Sequence, residues 1–326
     1  MNYIDTSYTL QHAVRDGNLE RAREILTYFG LSYSQAWKEG YVLLCDAIER
    51  RHTEVIKLLL TNGSKVNSTT DEYHDTPLHL AVINGDIEIV KMLLDRRANV
   101  NATTRNGRTP LHKAIENNKI EIAKLLLNHG AIINVTDKLG ETPMCLAAKK
   151  GYVDGVKMFM DKGVNINTEN WYGRTLLYDA IENKQTEIAE LLLNHGADVN
   201  ISDRHGVSPL FLAVQKEHED GVKMLMDRGA NVNAETQDGI TLLSLAVQTG
   251  HVDVVKMLMD RNANINAETR NGSTLLHNAV LHHYTLLLKK DMKNLLARFW
   301  TEMLTIMLHF GMAQLCFLQM LLNITK

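Results

Sequence analysis

The chain has 326 residues, with 35 Lys and Arg set against 38 Asp and Glu for a formal net charge of -3. That length alone would suggest about two ordinary globular domains, and so neutral a balance excludes gathering nucleic acid or anionic lipid by field alone. Three cysteines, Cys45, Cys145 and Cys316, stand far apart, with no pair at metal-ligand spacing.

At the N-terminus, MNYIDTSYTLQH has no basic region followed by an apolar run, so no secretory signal is read and a reduced cytosolic or nuclear setting is expected. Residues 8–26, YTLQHAVRDGNLERAREIL, read as a helix pair. Arg15, Asp16, Glu20, Arg21 and Arg23 give it a wet outer face, as expected of an N-terminal capping unit over residues 1–39. Segment 27–41, TYFGLSYSQAWKEGY, takes the place of a regular turn.

From Val42 onward a stem of the Thr-Pro-Leu-His kind returns. Thr76, Thr109, Thr142, Thr175, Ser208, Thr241 and Thr274 are each 33 residues apart, and Val42 opens a copy 34 residues before Thr76. A period of this size denotes short units that stack, which overrides the two-domain expectation. Each unit reads as two short antiparallel helices and a protruding turn. Thr109 is suited to cap the first helix, and Pro110 fits its first turn, where no amide donor is needed. The copies at Thr175, Thr241 and Thr274 carry Leu in place of Pro. In the second helix Ile122, Leu125 and Leu126 recur as Ile188, Leu191 and Leu192, the spacing of one buried stripe. Gly130, Gly163, Gly196 and Gly229 then end the helix in a left-handed conformation. Asn262 tolerates that conformation, whereas Arg97 adopts it at a cost of about 1 kcal/mol. Ala-Asx-Val-Asn leads on into the projecting turn.

A second period lies over the first. The second helices at 121–130 and 187–196 end in LLLNHG, while those at 154–163 and 220–229 read DGVKMFMDKG and DGVKMLMDRG, a 66-residue step that implies duplication of a two-repeat block. Their methionines are read as adaptable core fillers.

The unit TPLHLAVINGDIEIVKMLLDRRANVN resembles the ankyrin repeat, and the resemblance runs over roughly residues 37–283. It implies an all-α ankyrin-repeat solenoid of helix-turn-helix units with projecting β-turn fingers. Residues 40–283 would hold about eight repeats, the last incomplete. It also implies that His79, His112 and His277 bond neighbouring backbone rather than a metal. Cys45 and Cys145 occupy the same stem position and are expected to be buried apolar residues. The Asn-x-Thr/Ser triplets at Asn101, Asn134 and Asn200 are then products of the repeat, not glycan sites.

The repeat pattern is lost from about Tyr284, where Lys290 and Asp291 fall on positions that should be apolar. Beyond it, Leu288, Met292, Leu295, Phe299, Met303, Ile306 and Phe310 form one apolar helical stripe, and no charge occurs from Met303 to Thr325. A divergent apolar helical tail at 284–326 capping the stack is the preferred reading. A tail anchor or other membrane contact is less favoured, because His309, Gly311, Gln314 and Gln319 interrupt the run. A partner-binding segment is the third reading.

No glycine-rich phosphate loop, HExxH helix, GxSxG elbow or paired CxxC is present. Glu88, Glu121, Asp154 and Glu187 recur at one repeat position and so belong to solvated helix surfaces. A non-enzymatic scaffold without cofactor or metal is expected, with another protein and not nucleic acid as partner. The alternative is a substrate receptor whose tail recruits a ubiquitin ligase or other effector. Partners of ankyrin repeats meet the concave face made by finger tips and first helices. Here the finger carrying Trp171, Tyr172 and Arg174 stands out, because other tips hold polar pairs such as Arg105-Asn106, Gln237-Asp238 and Arg270-Asn271. By register Lys149 and Lys150 flank it on one side and Glu182 and Asn183 on the other, with Arg204 and His205 on the next finger.

Overall fold

The structure, a computed structural model, describes residues 10–29, 40–69 and 73–265. The chain divides into two compact units, Met1–Asp198 and Val199–Lys326. In the first, residues 10–15 are helical and are followed by a helix at Leu19–Phe29. Five helix pairs come next: Gly40–Glu49 with Thr53–Thr61, Pro77–Asn84 with Ile87–Asp95, Pro110–Glu116 with Ile120–Asn128, Pro143–Lys150 with Val153–Asp161, and Leu176–Glu182 with Thr186–Asn194. In the second unit Pro209–Gln215 pairs with Glu219–Asp227, and Leu242–Thr249 with Val252–Asp260. Among the described residues the one bridge between extended segments joins Glu235 to Thr241.

The stems fold as their residues dictate. The Thr76 hydroxyl accepts from the His79 amide (3.4 Å) with Pro77 in the first turn. Where Leu replaces Pro the cap survives, since Thr175 accepts from the Tyr178 amide (3.3 Å) and Thr241 from that of Ser244 (3.2 Å). The helix at 77–84 packs on those at 40–49 and 110–116 and on its own second helix at 87–95. Leu78, Ala81, Val82, Ile89, Val90 and Leu93 are fully buried there. Each large aliphatic side chain so placed contributes about 1.5–3 kcal/mol.

The second-helix stripe differs from the expected one by a residue. Ile122, Ala123 and Leu126 are buried, as are Ile188, Ala189 and Leu192, whereas Leu125 and Leu191 are only half-buried. Ala lets the neighbouring helix approach closely, and the bulkier Leu is left at the rim of the contact. Met158 and Met226 are buried, while Met160, Met224, Met257 and Met259 are half-buried. Glu88, Glu121, Asp154 and Glu187 are all exposed.

The left-handed helix ends stand where expected, including Arg97 (φ 61) and Asn262 (φ 59). At Gly130, Gly163, Gly196 and Gly229 a Cβ would meet nothing within 4 Å, so the requirement there is the backbone angle alone. A second left-handed position, not foreseen, closes each first helix. It is held in turn by Arg51, Gly85, Asn118, Gly151, Lys184, Glu217 and Gly250, with φ between 53 and 78. At Lys184 the reason is the tight reversal: its amide donates to the Ile181 carbonyl (3.1 Å) and the Gln185 amide to that of Ala180 (2.8 Å).

Arg15, Asp16, Glu20, Arg21 and Arg23 are exposed on the N-terminal helices. Helix continues to Phe29 and resumes at Gly40, so both ends of segment 27–41 are helical. Its interior, the stem of Thr274 and His277, Cys316 and the tail at 284–326 lie outside the described residues.

Candidate functional site

The stem imidazoles are structural. His79 Nδ1 accepts from the Thr76 amide (3.2 Å), and its Nε2 lies 3.1 Å from the Arg108 carbonyl in the next repeat. His112 repeats this with the Thr109 amide (3.1 Å) and the Glu141 carbonyl (3.1 Å). An Nδ1 that accepts and an Nε2 that donates define one neutral tautomer. Burial pushes the His79 pKa down to about 4 and lowers that of His112 as well. Cys45 and Cys145 are buried in the same register, and burial, with Glu49 and Asp75 adding to it, pushes the Cys45 thiol up to about 12. Such a thiol is inert. Among the described residues no group of three or more His, Cys, Asp or Glu is disposed to hold a metal ion.

The fingers are pinned by short side chains. Asp137 Oδ1 accepts the amides of Leu139 (2.8 Å) and Glu141 (3.0 Å), and Asn170 Oδ1 accepts those of Tyr172 (2.9 Å) and Arg174 (3.1 Å). These Asx turns consume the tip amides and leave the tip side chains outside. Neighbouring tips are also tied by backbone, Arg105 N–H to Tyr73 C=O (2.9 Å) and Lys138 N–H to Asn106 C=O (3.0 Å). Among the described residues the Trp171 amide makes no such bond. Its indole lies over Gly140 of the preceding finger instead, where a Cβ would come within 2.9 Å of the ring. Trp171 nonetheless remains 53% exposed and Tyr172 56%. The expected aromatic tip is therefore present, and one face of the indole does rest on the neighbouring finger.

Behind the tips a strip of ion pairs crosses the first helices. Arg108 contacts Glu116 (2.6 Å), Asp137 (3.2 Å) and Glu141 (3.9 Å). Although burial raises it, Lys113 and Arg108 hold the Glu116 carboxyl below its ordinary pKa. Lys149 binds Glu141 and stands 3.6 Å from Asp179. Arg174 reaches Glu182 (3.4 Å) and lies 4.8 Å from the Tyr178 ring centroid and 5.8 Å from that of Tyr172. Lys149, Arg174 and Glu182 are thus half-buried in pairs. Lys150 and Asn183 are exposed, the Asn183 amide group donating to the Asp179 carbonyl (2.8 Å). Arg204 and His205 belong to the second unit, where both are exposed at their own tip.

Two residues of this surface escaped the sequence reading. Leu139 stands 54% exposed beside the aromatics. Asp179 is fully buried, and neither carboxylate oxygen has a hydrogen-bond donor among the described residues. Burial pushes its pKa up to about 7; Lys149 opposes the rise, and Glu141 and Glu182 add to it. An open groove elsewhere, between the helices at 120–128 and 153–161, is edged by Glu121, Lys124, Asp154 and Lys157, which are solvated charges.

Helix pairs, capped stems and pinned fingers define a helical-repeat protein. The model of ankyrin repeats, built on three copies, matches in overlapping windows from residue 10 to residue 296, so the chain belongs to the ankyrin repeat family. Among solved structures it is similar to the ankyrin repeat domain of Bcl-3, a member of the IkappaB protein family. That likeness has a TM-score of 0.57 and 28% identity, and covers 63% of this chain and 93% of that one. Among curated relatives, ankyrin repeat and SOCS box protein 3 of Homo sapiens is 32% identical over 104 residues, 31% of this chain and 20% of that protein. Alpha-latrotoxin-Lg1a of Latrodectus geometricus is 30% identical over 104 residues, 31% of this chain and 8% of the toxin. Transient receptor potential cation channel subfamily A member 1 of Homo sapiens is 35% identical over 101 residues, 31% of this chain and 8% of the channel. The chain thus spans between 8% and 20% of the length of these relatives.

Proposed function

We propose that the protein is a non-enzymatic scaffold that binds another protein, with its principal contact on the finger tips and first-helix surface of residues 105–183. The observation that carries this reading is the exposed pair Trp171 and Tyr172 at a tip. Aromatic side chains and arginine dominate interface energetics, and a tip is the part of the unit least needed for packing. Lys149, Arg174 and Glu182 serve as a charged, neutralised floor. Lys150 and Asn183 contact at its edge. Arg204 and His205, exposed at a tip of the second unit, offer that unit a contact of its own. In a reduced cytosolic or nuclear setting the buried thiols stay free. Affinity capture with the full chain and with a Trp171→Ala/Tyr172→Ala variant tests the proposal: the partner set should be lost with the variant, and an unchanged set would overturn it.

A second reading draws on the likeness to ankyrin repeat and SOCS box protein 3. In it the repeats hold a target while residues 284–326 recruit a ubiquitin ligase or other effector. Capture by the tail segment alone separates the two, because recovery of ligase components would favour the receptor. Among the described residues no helix is long and apolar enough to cross a membrane.

A further inference from the structure

We propose that the consecutive tips at 105–106, 138–139 and 171–172 dock an acidic peptide segment carrying an aromatic or leucine anchor, an inference that rests on the binding-face reading above. Single exposed apolar residues are ordinary, but Leu139, Trp171 and Tyr172 stand together on adjacent fingers at 54, 53 and 56% exposure. The two aromatics are also held in place before any partner arrives. The indole is seated on Gly140, and Tyr172 flanks the Arg174 guanidinium at 5.8 Å. Side chains already ordered lose little entropy on binding.

Charge selects the partner. Arg105 and Lys138 are exposed, and neither forms an ion pair among the described residues. The carboxylates of the same fingers are spent internally, Asp137 on Arg108 (3.2 Å) and Glu141 on Lys149. Glu169 is the one exposed exception among the described residues of these fingers. A chain with net charge -3 thus presents an apolar patch edged by two free cations. An acidic segment gains attraction there, and a basic one meets repulsion. Two cations give only weak attraction to an anionic bilayer, so a protein segment is the better match.

A phage-displayed random dodecapeptide library, selected on the full chain, tests this directly. Enriched peptides should carry Asp or Glu around an aromatic or leucine. They should bind about tenfold more weakly to an Arg105→Glu/Lys138→Glu variant whose thermal unfolding is unchanged. Basic or uncharged peptides that require Trp171 would overturn the acidic partner and leave the binding face standing. Peptides indifferent to Trp171→Ala would overturn both. An unenriched library would overturn the peptide proposal as well, and vesicles of phosphatidylserine retained by the wild type but not by Trp171→Ala would replace it with a lipid surface.

Discussion

Stem and tip of the same repeat put their polar groups to opposite uses. At the stem, Thr76, His79 and the Arg108 carbonyl close a buried chain of hydrogen bonds, and Thr109, His112 and Glu141 repeat it. At the tip the backbone is fixed by Asp137 or Asn170 while the side chains of Leu139, Trp171 and Tyr172 remain outside. From Thr76 on, the stem Thr is retained, with one change to Ser, because its hydroxyl caps its own helix, and where His is present its Nε2 reaches a carbonyl of the next repeat. The tip is free to vary because its geometry is set by the residues on either side of it. Stability changes should therefore come from stems, and affinity changes from tips.

The largest effect expected is at the stem. His79→Ala leaves the buried Thr76 amide without its acceptor, removes one of the two donors to the Arg108 carbonyl and opens a cavity, and should lower the unfolding free energy by about 3 kcal/mol, measured by urea denaturation. The same imidazole sets a pH dependence. Its folded pKa of about 4 lies below its ordinary value, so the folded state holds fewer protons than the unfolded chain. Its contribution is complete above about pH 6.5 and is lost as pH falls toward 4, a change on the order of 3 kcal/mol. A flat profile across that window in the wild type, or one that His79→Ala leaves unaltered, would refute the neutral tautomer.

Asp179 works in the other direction. Its folded pKa of about 7 is raised above the ordinary carboxylate value, so stability declines as pH climbs from the usual carboxylate range to about 7. The repeats on either side place Leu146 and Leu212 in this register. Asp179→Leu should raise the unfolding free energy at pH 8 by about 1–3 kcal/mol and remove that decline. A loss of stability would show that the Lys149 contact outweighs the cost of burial.

Smaller gains are expected where the chain turns. Arg97→Gly, Lys184→Gly and Glu217→Gly should each stabilise by roughly 0.5–1 kcal/mol, since all three have positive φ. An unchanged denaturant midpoint in all three would contradict the backbone assignment.

These positions also mark how far the sequence could be read. The 33-residue register, the Thr caps, the helix-ending glycines and the interior cysteines were legible because each repeats a residue type with one physical role. Lys184 and Glu217 were not, because neither residue advertises a left-handed angle; only Gly85, Gly151 and Gly250 in the same register hint at it. Leu125 was placed in the core by spacing alone, which ignores the room that Ala123 makes for the adjacent helix. Asp179 and Leu139 were available as departures within their own registers, from Leu146 and Leu212 on either side for one and from the polar Asn106, His205 and Asp238 for the other. The pairing of Lys149 with Glu141 and of Arg174 with Glu182 needed coordinates, since it depends on which side chains reach across repeats. The aromatic tip itself was legible, but its seat on Gly140 was not.

The division between stem and tip is tested most directly by measuring partner affinity and thermal unfolding together for Trp171→Ala. The prediction is a loss of about 2 kcal/mol or more in binding free energy, with stability unchanged within about 0.5 kcal/mol. A large fall in melting temperature with unchanged affinity would contradict it and assign the indole to packing on Gly140.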